Sequence, residues 1–482
     1  MQSEYLDGAR FRGALAQAVR DLRANRKDIN RINVFPVPDG DTGNNMLATL
    51  ESAEQAVTRS AAESLAEMAA VAHQGAREGS TGNSGAILSQ YLKGWADGFA
   101  GVERAGAAEM ARALDLGSRY AYQSVSDPRE GTILTVSRAA ATAAGAIGRD
   151  GGLPETLQAA YREARSALTR SGRLLPELAS RKVVDAGGWG LLILLSAVLR
   201  AMEIPIGKAE FHFRPPDDLF GGDRKFQFLH PYDMEFVVRG PGRVEHRVRE
   251  RIESLGVDRI IQNDGRDCHV HIHTADPLRV VERAAETAAM TDLIVRDMRS
   301  QHSALLHQRA TPQKYDTVVL GRYPGFVAMY AMAGAHLAAT ANMHPKKQRM
   351  LREYAGPDVL VLCAEGATPS LPRNPVVPGN EIRVLAALVG AYTPEIPTEK
   401  AVREVASHVR TGRVTGALAG IANAVGELAP VPGELLTLYY GHPGMRGEIE
   451  GIRASLQREF PFLEAIELYF GGHEDPVWIS LE

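Results

Sequence analysis

The chain has 482 residues, too many for one compact core, so we expect two to four domains. Its 54 Lys and Arg residues are slightly outnumbered by 58 Asp and Glu residues, and the formal net charge is −4. This balance argues against a nucleic-acid binder or a protein of acidic membranes, since both classes carry a basic excess. The two cysteines, Cys268 and Cys363, form no disulfide framework, which fits a reducing cytoplasm.

The sequence predicts a cytoplasmic protein with no integral membrane segment. The first ten residues, MQSEYLDGAR, lack the apolar core of a signal peptide. The most apolar stretch runs from Leu191 to Leu199 and is followed by Arg200, so it is too short to cross a bilayer. We therefore predict a buried helix there.

The chain is predicted to be multidomain, and its pattern changes three times. Residues 1–204 are predicted to be all helical, because alanine is abundant and apolar residues recur at helical spacing. Residues 205–224 carry prolines, paired glycines and charges, which is typical of a linker. Residues 225–310 mix alternating strand patterns with helices and predict a small α+β domain. In residues 311–482, short apolar runs alternate with helices, which predicts an α/β domain.

Four loops in the helical region share one composition. Each places Gly, Ser, Thr, Asn or Asp just before an apolar helix: NVFPVPDGDTGNNM, EGSTGNSGAILSQ, DPREGTILTV and VVDAGGWGL. The start of a helix has unpaired N–H groups that attract anions, and glycine lets a phosphate approach the backbone closely. Any one of these loops would also serve as an ordinary helix cap with a glycine turn. Their repetition in one region favours a phosphate-binding site.

The first loop carries two carboxylates, Asp39 and Asp41, which would repel a phosphate unless a cation lay between them. Carboxylates are hard oxygen ligands suited to Mg²⁺, which keeps part of its water shell and bridges to substrate phosphates. Asn33 would add a carbonyl oxygen, and Asn45 would contact the metal or a phosphate. The alternative is a solvated turn, because Asp and Gly are common in turns. Together the residues predict a Mg²⁺–nucleotide site on a helical domain.

The loop sequences resemble a known family. INVFPVPDGDTGNNM, TGNSGAILSQ, EGTILTV and VVDAGGWGL are similar to the nucleotide-binding loops of the dihydroxyacetone kinase L-subunit family, and more closely to those of the catalytic chains of bacterial fatty acid kinases. LDGARF, HVHIHTADP and the ending LYFGGHEDPVWISLE also resemble that three-domain family. The resemblance implies an eight-helix barrel holding ATP and Mg²⁺ at one end, and a homodimer. It further implies a partner, a DegV-type carrier whose bound fatty acid is phosphorylated to an acyl-phosphate for phospholipid synthesis.

The resemblance also implies roles for individual residues. Asp39 and Asp41 would bind Mg²⁺, with Asn33 where the related small-ketone kinases have a third aspartate. Together with Thr132, the two aspartates form the predicted catalytic set. The residues implied along the phosphates are Asn45, Gly82, Asn83, Ser84 and Thr132, and those implied near the nucleoside are Asp185, Gly187 and Gly188.

Departures from the family pattern leave two alternatives. Thr81 stands where the family has an arginine, and loss of a guanidinium beside phosphates would slow transfer or change the substrate. The C-terminal region also lacks the family's Asn-Pro-Ser-Thr and Pro-Asn-Asn signatures. One alternative is a kinase for a small ketone such as dihydroxyacetone, although such a kinase normally needs a separate protein that binds the substrate. The other is a non-catalytic nucleotide-binding regulator, and the retained Asp39 and Asp41 argue against it.

A second candidate metal site lies on the predicted strand CHVHIHT. His269, His271 and His273 share one face of this strand, because side chains alternate along it, and His-x-His is a common metal spacing. Asp233 stands where the family has a cysteine, and carboxylates also ligate zinc. Asp233, His271 and His273 are therefore candidate Zn²⁺ ligands. The alternative is three hydrogen-bonded or solvated histidines on a half-exposed strand.

Overall fold

The computed structural model divides the chain into two compact units. The first comprises Met1–Gln227, Asp258–Ile260 and Gln301–Arg309, and the second comprises Phe228–Val257, Ile261–Ser300 and Ala310–Glu482. The residues that the structure describes are 4–147, 151–206, 211, 213–216, 227–240, 242, 244–263, 265, 267–307, 317–354, 359–367, 375–390 and 399–482.

The first unit is mainly helical, as predicted. Its only described strands are the antiparallel pair β1 (Leu6–Asp7) and β2 (Arg104–Ala105). Its described helices up to residue 206 are α1 (Gly8–Arg31), α2 (Thr42–Arg59), α3 (Leu65–Gly79), α4 (Gly82–Gly98), α5 (Ala107–Ser124), α6 (Ile133–Ile147), α7 (Leu153–Leu174), α8 (Pro176–Arg181) and α9 (Ala186–Ala201).

Caps and apolar faces explain why these helices form. Asp7 caps α1 by accepting from the N–H of Arg10, and Ser64 begins α3 with a reciprocal pair of bonds to Glu67. The predicted buried helix is confirmed, since every residue of α9 from its start to Leu199 is buried. In the part of the chain that is described, no helix combines the length and the apolar character needed to cross a membrane.

Aromatic side chains fill part of the interior of the first unit. On α4, the rings of Tyr91 and Trp95 lie 5.6 Å apart between centroids. Trp95 also packs against Phe11 of α1 and against Phe99, and all four side chains are buried. Large aromatic side chains contribute strongly to core stability, so this cluster ties α1 to α4.

The larger sheet has eight strands in the order β10-β9-β7-β8-β6-β3-β5-β4. Strands β7 to β10 pair in parallel, whereas β6 pairs antiparallel with β8 and β3, and β3 pairs antiparallel with β5. The strand bounds are β3 (Tyr232–Arg239), β4 (Val257–Asn263), β5 (Asp267–Thr274), β6 (Ala289–Asp297), β7 (Thr317–Gly321), β8 (Leu337–Thr340), β9 (Leu360–Ala364) and β10 (Val376–Gly379).

The smaller sheet has the strand order β11-β14-β12-β13. Its strands are β11 (Arg410–Val414), β12 (Leu435–Tyr440), β13 (Ala465–Phe470) and β14 (Val477–Leu481). The remaining described helices are α10 (Val244–Ile252), α11 (Pro277–Ala285), α12 (Met298–His307), α13 (Pro324–Met332), α14 (Pro345–Tyr354), α15 (Glu381–Gly390), α16 (Glu399–His408), α17 (Ile421–Glu427) and α18 (Arg446–Glu459).

A helical region followed by mixed sheet regions is confirmed. The strands predicted in residues 225–310 and those predicted in residues 311–482 join one sheet, because β6 pairs with β8. Much of the predicted linker 205–224 lies outside the described residues. The domain boundaries at 204, 224 and 310 stay predictions.

Candidate functional site

The buried side chain of Asn33 closes the loop that carries the two aspartates. Its Oδ1 accepts from the backbone N–H of Thr42 at 2.9 Å and also from the Thr42 hydroxyl, and its Nδ2 donates to the Val37 carbonyl at 3.0 Å. A carbonyl oxygen has two lone pairs, and Thr42 occupies both of them here. Asn33 therefore braces the loop, and its predicted role as a Mg²⁺ ligand would require one of these bonds to break.

A second asparagine, Asn30 of α1, holds the start of α2. Its Oδ1 accepts from the N–H groups of Gly43 at 2.7 Å and Asn44 at 3.3 Å. With Thr42 bonded to Asn33, the first N–H groups of α2 are occupied, so this loop would meet an anion through side chains. The sequence analysis missed Asn30 and Thr42, because no local pattern links the end of α1 to the start of α2.

Asp39 and Asp41 flank a tight turn and are half-exposed. Gly40 between them has φ = 71°, a left-handed conformation that glycine adopts readily. The N–H of Asp39 bonds to the Val37 carbonyl at 3.0 Å. Asp41 precedes α2 directly, but its carboxylate does not cap that helix. The turn therefore places two carboxylates at the start of α2.

The second loop lies directly against the first. Gly82 has φ = 60°, and a Cβ there would lie 2.1 Å from Nδ2 of Asn45. The hydroxyl of Ser84 lies 3.2 Å from that of Thr42. Only glycine fits at position 82, and the starts of α2 and α4 therefore meet. Asn45, Gly82 and Ser84, all predicted to lie along the phosphates, are brought together, with Asn83 half-buried between the last two.

The third loop begins α6 with Thr132 as its cap. The Thr132 hydroxyl accepts from the N–H of Leu134 at 3.3 Å and donates to the Arg129 carbonyl at 2.8 Å. The side chain is buried. Thr132 is therefore placed at the first turn of α6, where its hydroxyl has a local structural role; its predicted catalytic role stays a prediction.

The fourth loop begins α9 and lies against the third. Asp185 caps α9 by accepting from the N–H of Gly188 at 2.6 Å, and its carboxylate also bonds to the backbone of Ile133 at the start of α6. A Cβ at Gly187 would lie 3.3 Å from the Cβ of Ile133. One buried carboxylate thus joins the two loops.

The fourth loop also lies close to the first, because a Cβ at Gly190 of α9 would lie 2.3 Å from Sδ of Met46 in α2. The starts of α4, α2, α9 and α6 are therefore linked in that order by direct contacts. All four loops singled out in the sequence belong to one region of the first unit, with two aspartates beside it.

Burial also changes the acidity of Asp185. Removal from water raises the pKa of its carboxyl to about 7, although the bonds from Gly188 and Ile133 act in the opposite direction. The negative charge of this side chain is therefore costly in the folded chain near neutral pH. A buried carboxyl of this kind, placed between two loops, is typical of functional sites and also of structural caps.

The histidine strand is buried, which differs from the half-exposed strand of the alternative interpretation. His271 and His273 of β5 and Asp233 of β3 are each at most 4% exposed, and His269 is half-buried. Nε2 of His271 lies 3.2 Å from Nε2 of His273, and Nδ1 of His271 lies 3.2 Å from Oδ1 of Asp233. The three predicted ligands thus form one cluster.

Arg296 occupies the other side of this cluster. Its guanidinium donates to Oδ2 of Asp233 at 2.8 Å and to Oε1 of Glu235 at 2.7 Å, and Lys347 lies 3.7 Å from Glu235. Asp233 therefore contacts both Arg296 and His271. Charged groups this deep in a protein are stable only when paired, and these pairs meet that condition.

The two histidines fit a zinc ion better than Asp233 does. Zn–N bonds of about 2.0–2.1 Å allow two imidazole nitrogens at this separation to share one ion. Asp233 lies at the opposite ring nitrogen of His271, where an orienting carboxylate is usually found. Burial lowers the pKa of His271, which favours the neutral imidazole that a metal requires. Zinc binding stays a prediction, with Asp233 better placed to orient His271.

Comparison with known proteins identifies two segments. The DAK2 domain family matches residues 36–200, and the middle domain of FakA-like fatty acid kinase proteins matches residues 230–305. The chain is 24% identical to Protein YloV of Bacillus subtilis over 98% of both proteins. It is 31% identical to an uncharacterized protein of Staphylococcus saprophyticus over 62% of this chain and 56% of that protein. It is 30% identical to an uncharacterized protein of Staphylococcus aureus over 65% of this chain and 60% of that protein.

Replacing Asp185 with Asn should change how stability depends on pH. The raised pKa means that the folded chain holds this proton while the unfolded chain, with an ordinary pKa of 3.8, releases it. Wild-type stability should therefore fall as the pH rises from about 4 to about 7, by about 1.4 kcal/mol per pH unit and about 4 kcal/mol in total. Asp185→Asn keeps the cap acceptor and avoids this loss.

The measurement is the difference in unfolding temperature between Asp185→Asn and wild type, followed from pH 4 to pH 8. We expect the advantage of the variant to grow up to pH 7 and then level off. Asp127→Asn is the control, since that side chain is 77% exposed. A difference for Asp185→Asn that is constant across this range would contradict the buried-carboxyl account.

Proposed function

Because the chain combines a DAK2 domain with a FakA-like fatty acid kinase middle domain, we propose that it is the catalytic component of a fatty acid kinase. In this proposal it transfers a phosphoryl group from ATP, with Mg²⁺, to the carboxylate of a fatty acid held by a DegV-type carrier protein. The product is an acyl-phosphate for phospholipid synthesis. The observation that carries the proposal is the meeting of four glycine-rich helix starts beside Asp39 and Asp41.

The residues of the site suit a complex of ATP with Mg²⁺. Mg²⁺ would neutralise phosphate charge while ATP supplies the phosphoryl group. Asp39 and Asp41 would hold the cation through oxygens at the start of α2. Gly82, Asn83 and Ser84 at the start of α4 would lie along the phosphates, with Asn45 beside them. Near the nucleoside we propose the loop of α9 that begins at Asp185.

The proposed reaction needs positioning more than acid–base chemistry. A fatty acid carboxylate is already ionised at pH 7, so no residue has to remove a proton before it attacks phosphorus. One carboxylate oxygen forms the new bond to the γ-phosphorus, and the bond to the leaving ADP oxygen breaks. Phosphoryl transfer of this kind depends on alignment and charge neutralisation. The rigidly braced loop of Asp39 and Asp41 is suited to both tasks.

We further propose that α1 to α7 and α9 close into an eight-helix barrel. Contacts between successive helices support this, because each helix from α1 to α7 packs on the next, α7 packs on α9, and α9 packs back on α1. The homodimer is proposed from the family resemblance alone.

Thr81 favours a second candidate, a nucleotide-binding protein without transferase activity. This buried residue precedes α4 at the place where the family has an arginine. A hydroxyl cannot supply the positive charge that stabilises a transferring phosphoryl group. A small-ketone kinase remains a further alternative from the sequence, and both alternatives are separated from the lead proposal by the acceptor assay.

Phosphoryl transfer to a carrier-bound fatty acid tests the proposed function. Labelled ATP and Mg²⁺ are supplied with oleate loaded on a DegV-type carrier, and acyl-phosphate is measured. We expect transfer that requires the carrier and falls at least about a hundredfold in Asp41→Ala, because removing metal ligation removes charge stabilisation from the transition state.

Asp115→Ala is the matched control, since this aspartate of α5 forms an exposed ion pair with Arg119 and should be dispensable. Mg²⁺-dependent ATP binding without transfer would contradict the fatty acid kinase proposal and favour the regulatory candidate. Transfer to free dihydroxyacetone but not to the loaded carrier would favour the small-ketone kinase.

We also propose that His271 and His273 hold Zn²⁺. Purified protein should contain about one zinc ion per chain by elemental analysis, and His273→Gln should lose most of it because one of two closely spaced imidazole ligands is gone. His246→Gln is the control, since His246 is an exposed residue of α10. Equal zinc contents in wild type and both variants would contradict the proposal.

A further inference from the structure

A histidine far along the chain contacts the loop of Asp39 and Asp41. His302 lies in the segment Gln301–Arg309, which belongs to the first unit. Its Nδ1 lies 2.7 Å from the carbonyl oxygen of Pro38, a residue 264 positions away in sequence. The side chain of His302 is only 5% exposed. A buried hydrogen bond therefore reaches the peptide immediately before Asp39.

The direction of this hydrogen bond is set by chemistry. A carbonyl oxygen only accepts, so Nδ1 of His302 must carry the proton. Burial lowers the pKa of the His302 imidazole, the bond to Pro38 raises it, and the charge of Arg181 lowers it again, with a net decrease. A neutral imidazole adds no positive charge beside a site proposed to bind a cation.

The bond completes a set of contacts that fix the backbone before Asp39. The Val37 carbonyl accepts from Nδ2 of Asn33 and from the N–H of Asp39, each at 3.0 Å. The next carbonyl, that of Pro38, accepts from His302. Because a peptide unit is planar, fixing the Pro38 carbonyl also fixes the N–Cα bond of Asp39. The origin of the Asp39 side chain is thereby set on both sides.

We propose that His302 is a positioning residue of the phosphoryl-transfer site, which acts by holding the Pro38 carbonyl and so the direction of the Asp39 carboxylate. This inference rests on the proposed function, since it assigns His302 a role in the Mg²⁺ site. Mg²⁺ demands near-ideal octahedral geometry, so a small turn of one carboxylate should weaken its binding. His302 itself contacts neither metal nor substrate in this account.

The test compares His302→Phe with His302→Asn. Phenylalanine keeps a ring of similar size but removes the donor, whereas asparagine offers an amide N–H close to the position of Nδ1. The readout is the Mg²⁺ concentration that gives half-maximal ATP binding, measured by calorimetry, together with the unfolding temperature without ligands. His246→Phe, on the exposed face of α10, is the control substitution.

We expect His302→Phe to raise the half-saturating Mg²⁺ concentration about tenfold, the change that loss of one hydrogen bond commonly produces. His302→Asn should restore it to within about threefold of wild type. An unchanged Mg²⁺ requirement in His302→Phe, with ATP binding intact, would overturn the positioning role alone. So would equal weakening in both variants with a matching drop in unfolding temperature, since that is a general structural effect.

The wild-type titration separates this inference from the proposed function. Absence of Mg²⁺-dependent ATP binding in the wild-type chain would overturn the nucleotide site and the role of His302 with it. Mg²⁺-dependent binding in wild type, together with the expected pattern in the variants, supports the positioning role whether or not the carrier-bound fatty acid is the acceptor.

Discussion

The hydrogen bonds of one buried amide, Asn33, are the constraint on which the candidate site depends. They tie the start of α2 to the loop that precedes it and fix the Val37 carbonyl. Buried polar groups left without partners cost about 1–3 kcal/mol each, so this closed arrangement is strongly preferred over an open one. Two carboxylates of like charge, at Asp39 and Asp41, are consequently held close together before any cation neutralises them.

Close contacts between helix starts turn this one loop into a site. Glycine at positions 82, 187 and 190 lets neighbouring side chains approach to distances that any larger residue would prevent. The same closeness puts the Asp185 carboxyl between two loops and removes it from water. The packing that brings the loops together thus also sets the electrostatics of the region: exposed charge at Asp39 and Asp41, and suppressed charge at Asp185.

Local pattern predicted the elements better than it predicted their partners. Capping residues and glycines predicted the four loops, and alternation predicted β3 and β5, because these signals act within a few residues. The sequence could not show that Asn33 is occupied by Thr42, or that Arg296 pairs with Asp233 across 63 positions. His302 was missed for the same reason: a lone histidine on a helix carries no local sign of a distant carbonyl.

Calorimetric titration of the purified chain with ATP, in the presence and absence of Mg²⁺, tests the central claim most directly. That claim is that four helix starts and two aspartates form one Mg²⁺–nucleotide site. The account predicts about one ATP bound per chain with Mg²⁺ and at least about tenfold weaker binding without it, as expected when a cation bridges carboxylates and phosphates. Failure to bind ATP, or binding of equal strength without Mg²⁺, would contradict it.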